Sequence, residues 1–105
     1  MSNEGIKLDQ GKIRFDLFPG DVLWAICDIL TFGALKYEAR NWEKGMDWSR
    51  LFGALQRHTW AWWQGEDKDL ETGKSHLWHA GCCIVFLIAY EIRGIGNDDR
   101  PTKNG

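Results

Sequence analysis

The sequence has no cysteine framework. Its cysteines, Cys27, Cys82 and Cys83, are odd in number, and two of them are adjacent. That pattern suits a reducing compartment better than a disulfide-stapled fold. No C-x-x-C pair occurs, so a structural zinc finds no ligands at the usual spacing. No uncharged run reaches the roughly 18 residues that suggest a membrane span; the longest, residues 75–90, includes two histidines. The opening stretch, MSNEGIKLDQGK, is polar and unlike a signal peptide. We therefore expect a cytoplasmic protein with no membrane partner. The formal net charge of -2 lacks the positive excess that grips duplex nucleic acid. No internal repeat is visible, and 105 residues leave no room for a second core. We expect one domain over residues 1–105, with 1–5 and 95–105 flexible.

What the chain does have is aromatic and helical. Seven tryptophans is a high number for this length, and 44% of residues are hydrophobic. Ile6, Leu8, Phe15 and Leu17 alternate with Lys7, Asp9, Lys12 and Arg14 around Gly11, which reads as an extended, basic N-terminal arm. Such an arm can wrap an anion, or can be a solvated segment packed by its apolar residues. Pro19, Gly20 and Asp21 mark a helix start. Apolar residues at helical spacing then carry a first helix to about residue 38 or 39. Gly33 inside it suggests close approach of a neighbouring helix or a ligand. Lys36, Tyr37, Asn41 and Trp42 lie at its end. Asp47 is placed to cap a second helix over 48–63, whose apolar stripe is Leu51, Ala54, Leu55, His58, Ala61 and Trp62. Gly65 ends it. Ser75 is placed to cap a third helix running to about residue 93, apolar all round from Ala80 to Tyr90. The expected fold is therefore all-α, a small bundle of about three long helices with an extended arm. A chain this short can barely surround such a helix, so we expect a homo-oligomer, a dimer or tetramer.

The chemistry is concentrated in residues 57–83. All three histidines (His58, His76, His79) fall here, around an acidic turn with Glu66, Asp67, Asp69 and Glu71. A short connection makes the second and third helices antiparallel neighbours. His58 then lies opposite His76 and His79, all facing one acid-rimmed cleft. Imidazoles and carboxylates converging in this way can bind a divalent metal, which neutralises phosphate oxygens and acidifies a bound water. Lys12, Arg14 and Arg57 are placed to hold further phosphate charge. The plainer reading is that His58 is a hydrogen-bonded core residue and the acids are a solvated turn favouring the start of the third helix. Cys83, four residues from His79, is better explained as a small buried hydrophobe.

These residues compose a longer pattern. It runs Lys7-x-Asp9-x-Gly11-Lys12-x-Arg14, Leu17-x-Pro19, Phe32-Gly33-Ala34-x-Lys36-Tyr37-x-x-x-Asn41-Trp42 and Trp48-Ser49-Arg50-Leu51. It continues through Arg57-His58-x-x-Ala61-Trp62 and Gly65-Glu66-x-x-Asp69-x-Glu71-x-Gly73 to His76-Leu77-x-His79-Ala80. Over about residues 7–92 this resembles the phage-encoded family described as dATP/dGTP diphosphohydrolase, N-terminal, grouped loosely with MazG-like nucleotide pyrophosphohydrolases. The resemblance implies an all-α fold, a purine deoxynucleoside triphosphate substrate, and products that are the monophosphate and diphosphate. It also implies a divalent metal, Mg²⁺ or Mn²⁺. MazG-type enzymes hold magnesium with E-x-x-E on one helix and E-x-x-D on the next; here those places carry Arg57-His58 and His76-x-x-His79. Magnesium prefers oxygen ligands, so either a softer metal is used or the histidines touch the nucleotide themselves.

On the enzyme reading, His58, Glu66, Asp69 and Glu71 carry the catalysis. His58, Asp69, Glu71, His76 and His79 hold the metal. Lys7, Asp9, Gly11, Lys12, Arg14, Lys36, Tyr37, Asn41, Trp42, Arg57 and Trp62 contact the substrate, with Trp42 or Trp62 stacking on the base. The first rival is a nucleotide-sequestering phage protein that binds without hydrolysing. The second is a purely structural oligomer, in which the histidines affect stability alone.

Overall fold

Three long helices make up most of residues 10–104, the part of the chain that this computed structural model describes. They are α1 (Gly20–Lys36), α2 (Trp48–Trp63) and α3 (His76–Arg93); a helical turn, α4 (Pro101–Asn104), follows. Single 3-10 turns occur at Phe15–Leu17 and Asn41–Lys44. Among the described residues there is no strand, only the isolated bridges Asp47–Asn97 and Lys68–Ser75. The fold is all-α, a small bundle. Lys7 and Asp9 lie outside the described residues.

α2 and α3 run antiparallel, as their bonds at both ends show. Trp48 at the start of α2 donates its backbone N–H to Asn97 O (2.9 Å) and its indole N–H to Ile95 O (3.0 Å), just beyond the end of α3. At the opposite end His58 meets His76. α3 is the central element and packs against both others. Its Ala80, Cys82, Cys83 and Tyr90 are buried with Leu51 of α2 and with Ala25 and Ile29 of α1. α1 crosses α3 at Gly81, where a Cβ would stand 2.8 Å from Ile26 Cδ1. The close approach expected at Gly33 is thus found at Gly81. A Cβ on Gly33 would meet nothing within 4 Å, because that side of α1 opens onto a cleft.

The helix ends differ from expectation in three places. α1 stops at Lys36, two or three residues early. The chain turns through Arg40, at φ 59°, and brings Trp42 onto Phe86 with ring centroids 4.6 Å apart. Tyr90, 0% exposed, donates its hydroxyl to Trp42 O. Burying a large apolar side chain is worth roughly 1.5–3 kcal/mol, more than another helical residue returns. Second, Asp47 makes no capping bond to α2. Asp99 does so instead, accepting from Ser49 N (2.9 Å) and Ser49 Oγ, while Asp47 accepts from Asn97 Nδ2. Third, the segment after α3, expected to fray, therefore folds back along the start of α2. Ser75 caps α3 as expected, accepting from Leu77 N at 3.2 Å.

Part of the apolar surface has no cover among the described residues. Leu77, Ile84, Val85 and Ile88 of α3 are exposed, as are Val22, Leu23 and Trp24 of α1 and Phe52 and Trp60 of α2. Phe15 and Leu17, expected to pack the arm down, are exposed too. Among the described residues no helix is long and apolar enough to cross a membrane.

Candidate functional site

The hydrophobic stripe of α2 carries His58 to the point where α3 begins, and the acidic turn between the helices folds over both. Asp69 organises that turn. Its Oδ1 accepts from the backbone N–H groups of Glu71 and Thr72, each at 2.9 Å. Its backbone N–H reaches Lys74 O and its carbonyl accepts from Gly73 N, both at 2.8 Å. His76 N bonds Asp67 O at 2.9 Å, which ties the turn to the first residue of α3. Two ion pairs fasten the turn to α1: Lys74 to Asp28 at 2.8 Å and Lys36 to Glu71 at 2.9 Å.

Within this frame the histidines form one connected group. His58 Nδ1 and His76 Nδ1 are 2.9 Å apart, and His76 Nε2 lies 2.5 Å from Glu66 Oε2. An ionised carboxylate only accepts, so His76 carries its proton on Nε2. Its other nitrogen, Nδ1, shares a hydrogen bond with His58 Nδ1. His76 is 5% exposed, and with both nitrogens bonded it satisfies the rule for buried polar groups. His79 stacks on His58, with centroids 4.7 Å apart and planes 10° from parallel, and its Nε2 lies 2.8 Å from Thr72 Oγ1. Burial holds the His58 ring below its ordinary pKa, helped by His79 and His76 and opposed by Asp69. Burial lowers His79 as well, against the pull of Asp69. Both rings are therefore neutral near pH 7. Burial pushes Asp69 up, but the Thr72 and Glu71 N–H groups and the two imidazoles outweigh it and hold the carboxylate ionised.

The ligand atoms of His58, Asp69 and His76 lie within 4.8 Å of one another, and His58 Nδ1 is 3.9 Å from Asp69 Oδ2. Two imidazoles and a carboxylate suit a first-row divalent ion, and Mn²⁺ accepts nitrogen ligands more readily than Mg²⁺. Glu66 behind His76 is the outer carboxylate that commonly orients a metal-binding histidine. The donor set therefore fits a metal.

The group opens onto a cleft of about 1450 Å³ between α1, α2 and α3. His58, His79, Asp69, Glu71 and Thr72 line one end; Trp42, Gly45 and Met46 line the other. Lys36, Arg40, Lys44, Arg50, Arg57 and Arg93 also line it, against the carboxylates Glu38, Glu43, Asp69 and Glu71. The cleft is thus cationic in a chain whose net charge is -2.

A model of the family described as dATP/dGTP diphosphohydrolase, N-terminal, matches residues 2–100. The chain belongs to this family. It is 33% identical over 96 residues to a protein of Salmonella phage PMBT28 named dATP/dGTP diphosphohydrolase, an overlap of 91% of this chain. The chain spans about a third, 33%, of that relative's length. No solved structure matches it.

The fold of this family member gathers some of the expected residues and leaves others apart. His58, Asp69, Glu71, His79, Lys36, Tyr37, Asn41, Trp42 and Arg57 share the cleft. His76 lies buried behind His58, and Glu66 lies behind His76. Glu71 is paired with Lys36 and His79 with Thr72, so neither joins the three-residue donor group. Gly11, Lys12 and Arg14 are exposed and do not line the cleft; Arg14 pairs with Asp16. Trp62 lies outside the cleft, beside Trp63. Trp42 is already stacked on Phe86, with the Arg93 guanidinium 5.4 Å from its centroid. Tyr37, 66% exposed, is the open aromatic surface. Sequence reasoning missed Thr72 and Arg50. Thr72 had a signal in the D-x-E-T-G turn, since Asp and Thr side chains commonly bond nearby backbone N–H groups in turns. Arg50 had one in its position seven residues before Arg57, on the same face of α2.

Proposed function

We propose that this domain hydrolyses purine deoxynucleoside triphosphates, dATP or dGTP, to the monophosphate and diphosphate with the help of a divalent metal. The observation that carries this reading is the Glu66–His76–His58 string beside Asp69, at one end of a cationic cleft large enough for a nucleotide. Family membership and the name of the phage relative support the reaction type. His58, Asp69 and His76 would hold the metal, Mn²⁺ in preference to Mg²⁺, and Glu66 would fix the His76 ring. When bound, the metal would polarise a phosphoryl oxygen and acidify water.

The α-phosphate sits by His58 and His79. Water oxygen bonds to the α-phosphorus, and the bond to the α–β bridging oxygen breaks. That oxygen leaves with the electron pair on diphosphate. The neutral imidazole of His79, at the cleft wall and outside the metal-holding group, receives the water's proton. Lys36 moves from Glu71 to the α-phosphate, and the base lies on Tyr37. The exposed apolar faces of α1, α2 and α3 support a working unit of more than one chain, a dimer or tetramer.

Incubation with dATP and dGTP plus Mn²⁺ or Mg²⁺ tests the reading. Stoichiometric monophosphate and diphosphate are expected, faster with Mn²⁺. Tight binding with the triphosphate recovered intact under both metals would instead select the sequestering protein.

A further inference from the structure

The cleft's cations are not equivalent. Lys36 pairs with Glu71, Lys44 with Glu38, and Arg40 and Arg93 both with Glu43. Arg50 and Arg57 pair with no carboxylate among the described residues, although both line the cleft. They are seven residues apart on α2, two turns, so they share one face about 10 Å apart along the axis. Gly53 lies on that face between them. The atom nearest to the Cβ it lacks is Arg57 Nη1, at 3.7 Å, so the Arg57 side chain lies back over bare helix toward Arg50. A glycine inside a helix is less favourable than alanine, and here it leaves the track open. Arg57 directly precedes His58, so the track begins at the donor group and leads away from it.

We propose that Arg50 and Arg57 form a diphosphate subsite that holds the β- and γ-phosphates and then the leaving diphosphate. Two unpaired guanidinium forks match a polyanion whose oxygens are spread over two phosphorus centres. Elsewhere in the cleft the cations already have partners to give up, so the tail of the substrate settles where it displaces no ion pair. This rests on the reading above for the position of the α-phosphate at His58. It also orients the nucleotide: the phosphates run toward the start of α2, and the base toward Tyr37 at the end of α1.

Binding is read without turnover, by calorimetric titration of the full chain with inorganic diphosphate and, separately, with dGMP. Arg50→Gln and Arg57→Gln are each expected to weaken diphosphate about tenfold or more. Binding of dGMP to Arg50→Gln is expected to stay within about twofold of the parent, as it makes no contact at that end. If Gln variants lose their helical circular dichroism, Arg50→Lys carries the test. It keeps the charge but loses the fork, and diphosphate should again weaken more than dGMP. Unchanged diphosphate affinity in both variants, or equal loss for diphosphate and dGMP, overturns the subsite. A chain that binds diphosphate through these arginines yet releases no monophosphate from dGTP keeps the subsite and refutes hydrolysis.

Discussion

Glu66 does not line the cleft, yet it engages His76 Nε2 and so leaves Nδ1 to face His58. Replacing it with Gln keeps a hydrogen-bond acceptor and removes the charge. Loss of an outer carboxylate behind a metal-binding histidine commonly costs about 10–100-fold in metal affinity. For Glu66→Gln we expect the Mn²⁺ concentration giving half-maximal activity to rise by about that factor, with little change in the rate at saturating metal. An unchanged metal titration would show that the Glu66–His76 bond serves the fold alone. The lowered His58 and His79 pKa values have a consequence for the metal-free protein. In the unfolded chain these rings take up protons near pH 6.5, and in the folded chain only at lower pH. Between those values the unfolded state binds more protons, so stability falls as pH drops below about 6.5. Urea midpoints measured in chelator at pH 7.5 and pH 5.5 should differ, with the acid one lower. In His79→Asn the gap should shrink. Equal midpoints in the parent would contradict the burial of both rings.

At the scale of elements, the start of α2 depends on a residue fifty positions away. Asp99 receives the Ser49 N–H and hydroxyl, so Asp99→Ala removes the cap and loosens the helix start. Amide exchange of the first turn of α2 should accelerate in this variant. Normal protection there would mean that another group closes the helix. Gly96 sets the path that brings Asp99 home. Its φ is +77°, and a Cβ would stand 2.6 Å from the Met46 carbonyl oxygen. Gly96→Ala should therefore destabilise by more than the roughly 1 kcal/mol of an ordinary glycine substitution, because a backbone atom cannot yield as a side-chain tip can. A thermal midpoint equal to that of the parent would contradict this packing.

For the whole molecule, the uncovered apolar surface is the main fact left over from folding. Ile88 of α3 is 50% exposed, with Ile84 and Val85 exposed one turn before it. Patches of this kind on soluble proteins mark association surfaces. Light scattering should give a mass that is a multiple of 12.1 kDa, and Ile88→Glu should lower it. A monomer at micromolar concentration would assign these faces to some other partner.

Local pattern alone determined the three helices, the Ser75 cap and the position of His58 opposite the start of α3. Each depends on interactions within a few residues, or on the period of apolar side chains along one face. The same pattern gathered the acids and histidines into one short stretch, and with it the chemistry of the site. Only the tertiary structure decided which of them meet. It put Glu71 on Lys36, put His79 on Thr72, left Arg14 with Asp16, and brought Asp99 rather than Asp47 to the cap of α2. The physical reason is that a side chain's partner is chosen by distance in space. Ion pairs such as Lys36–Glu71 link residues whose separation along the chain carries no trace of the contact.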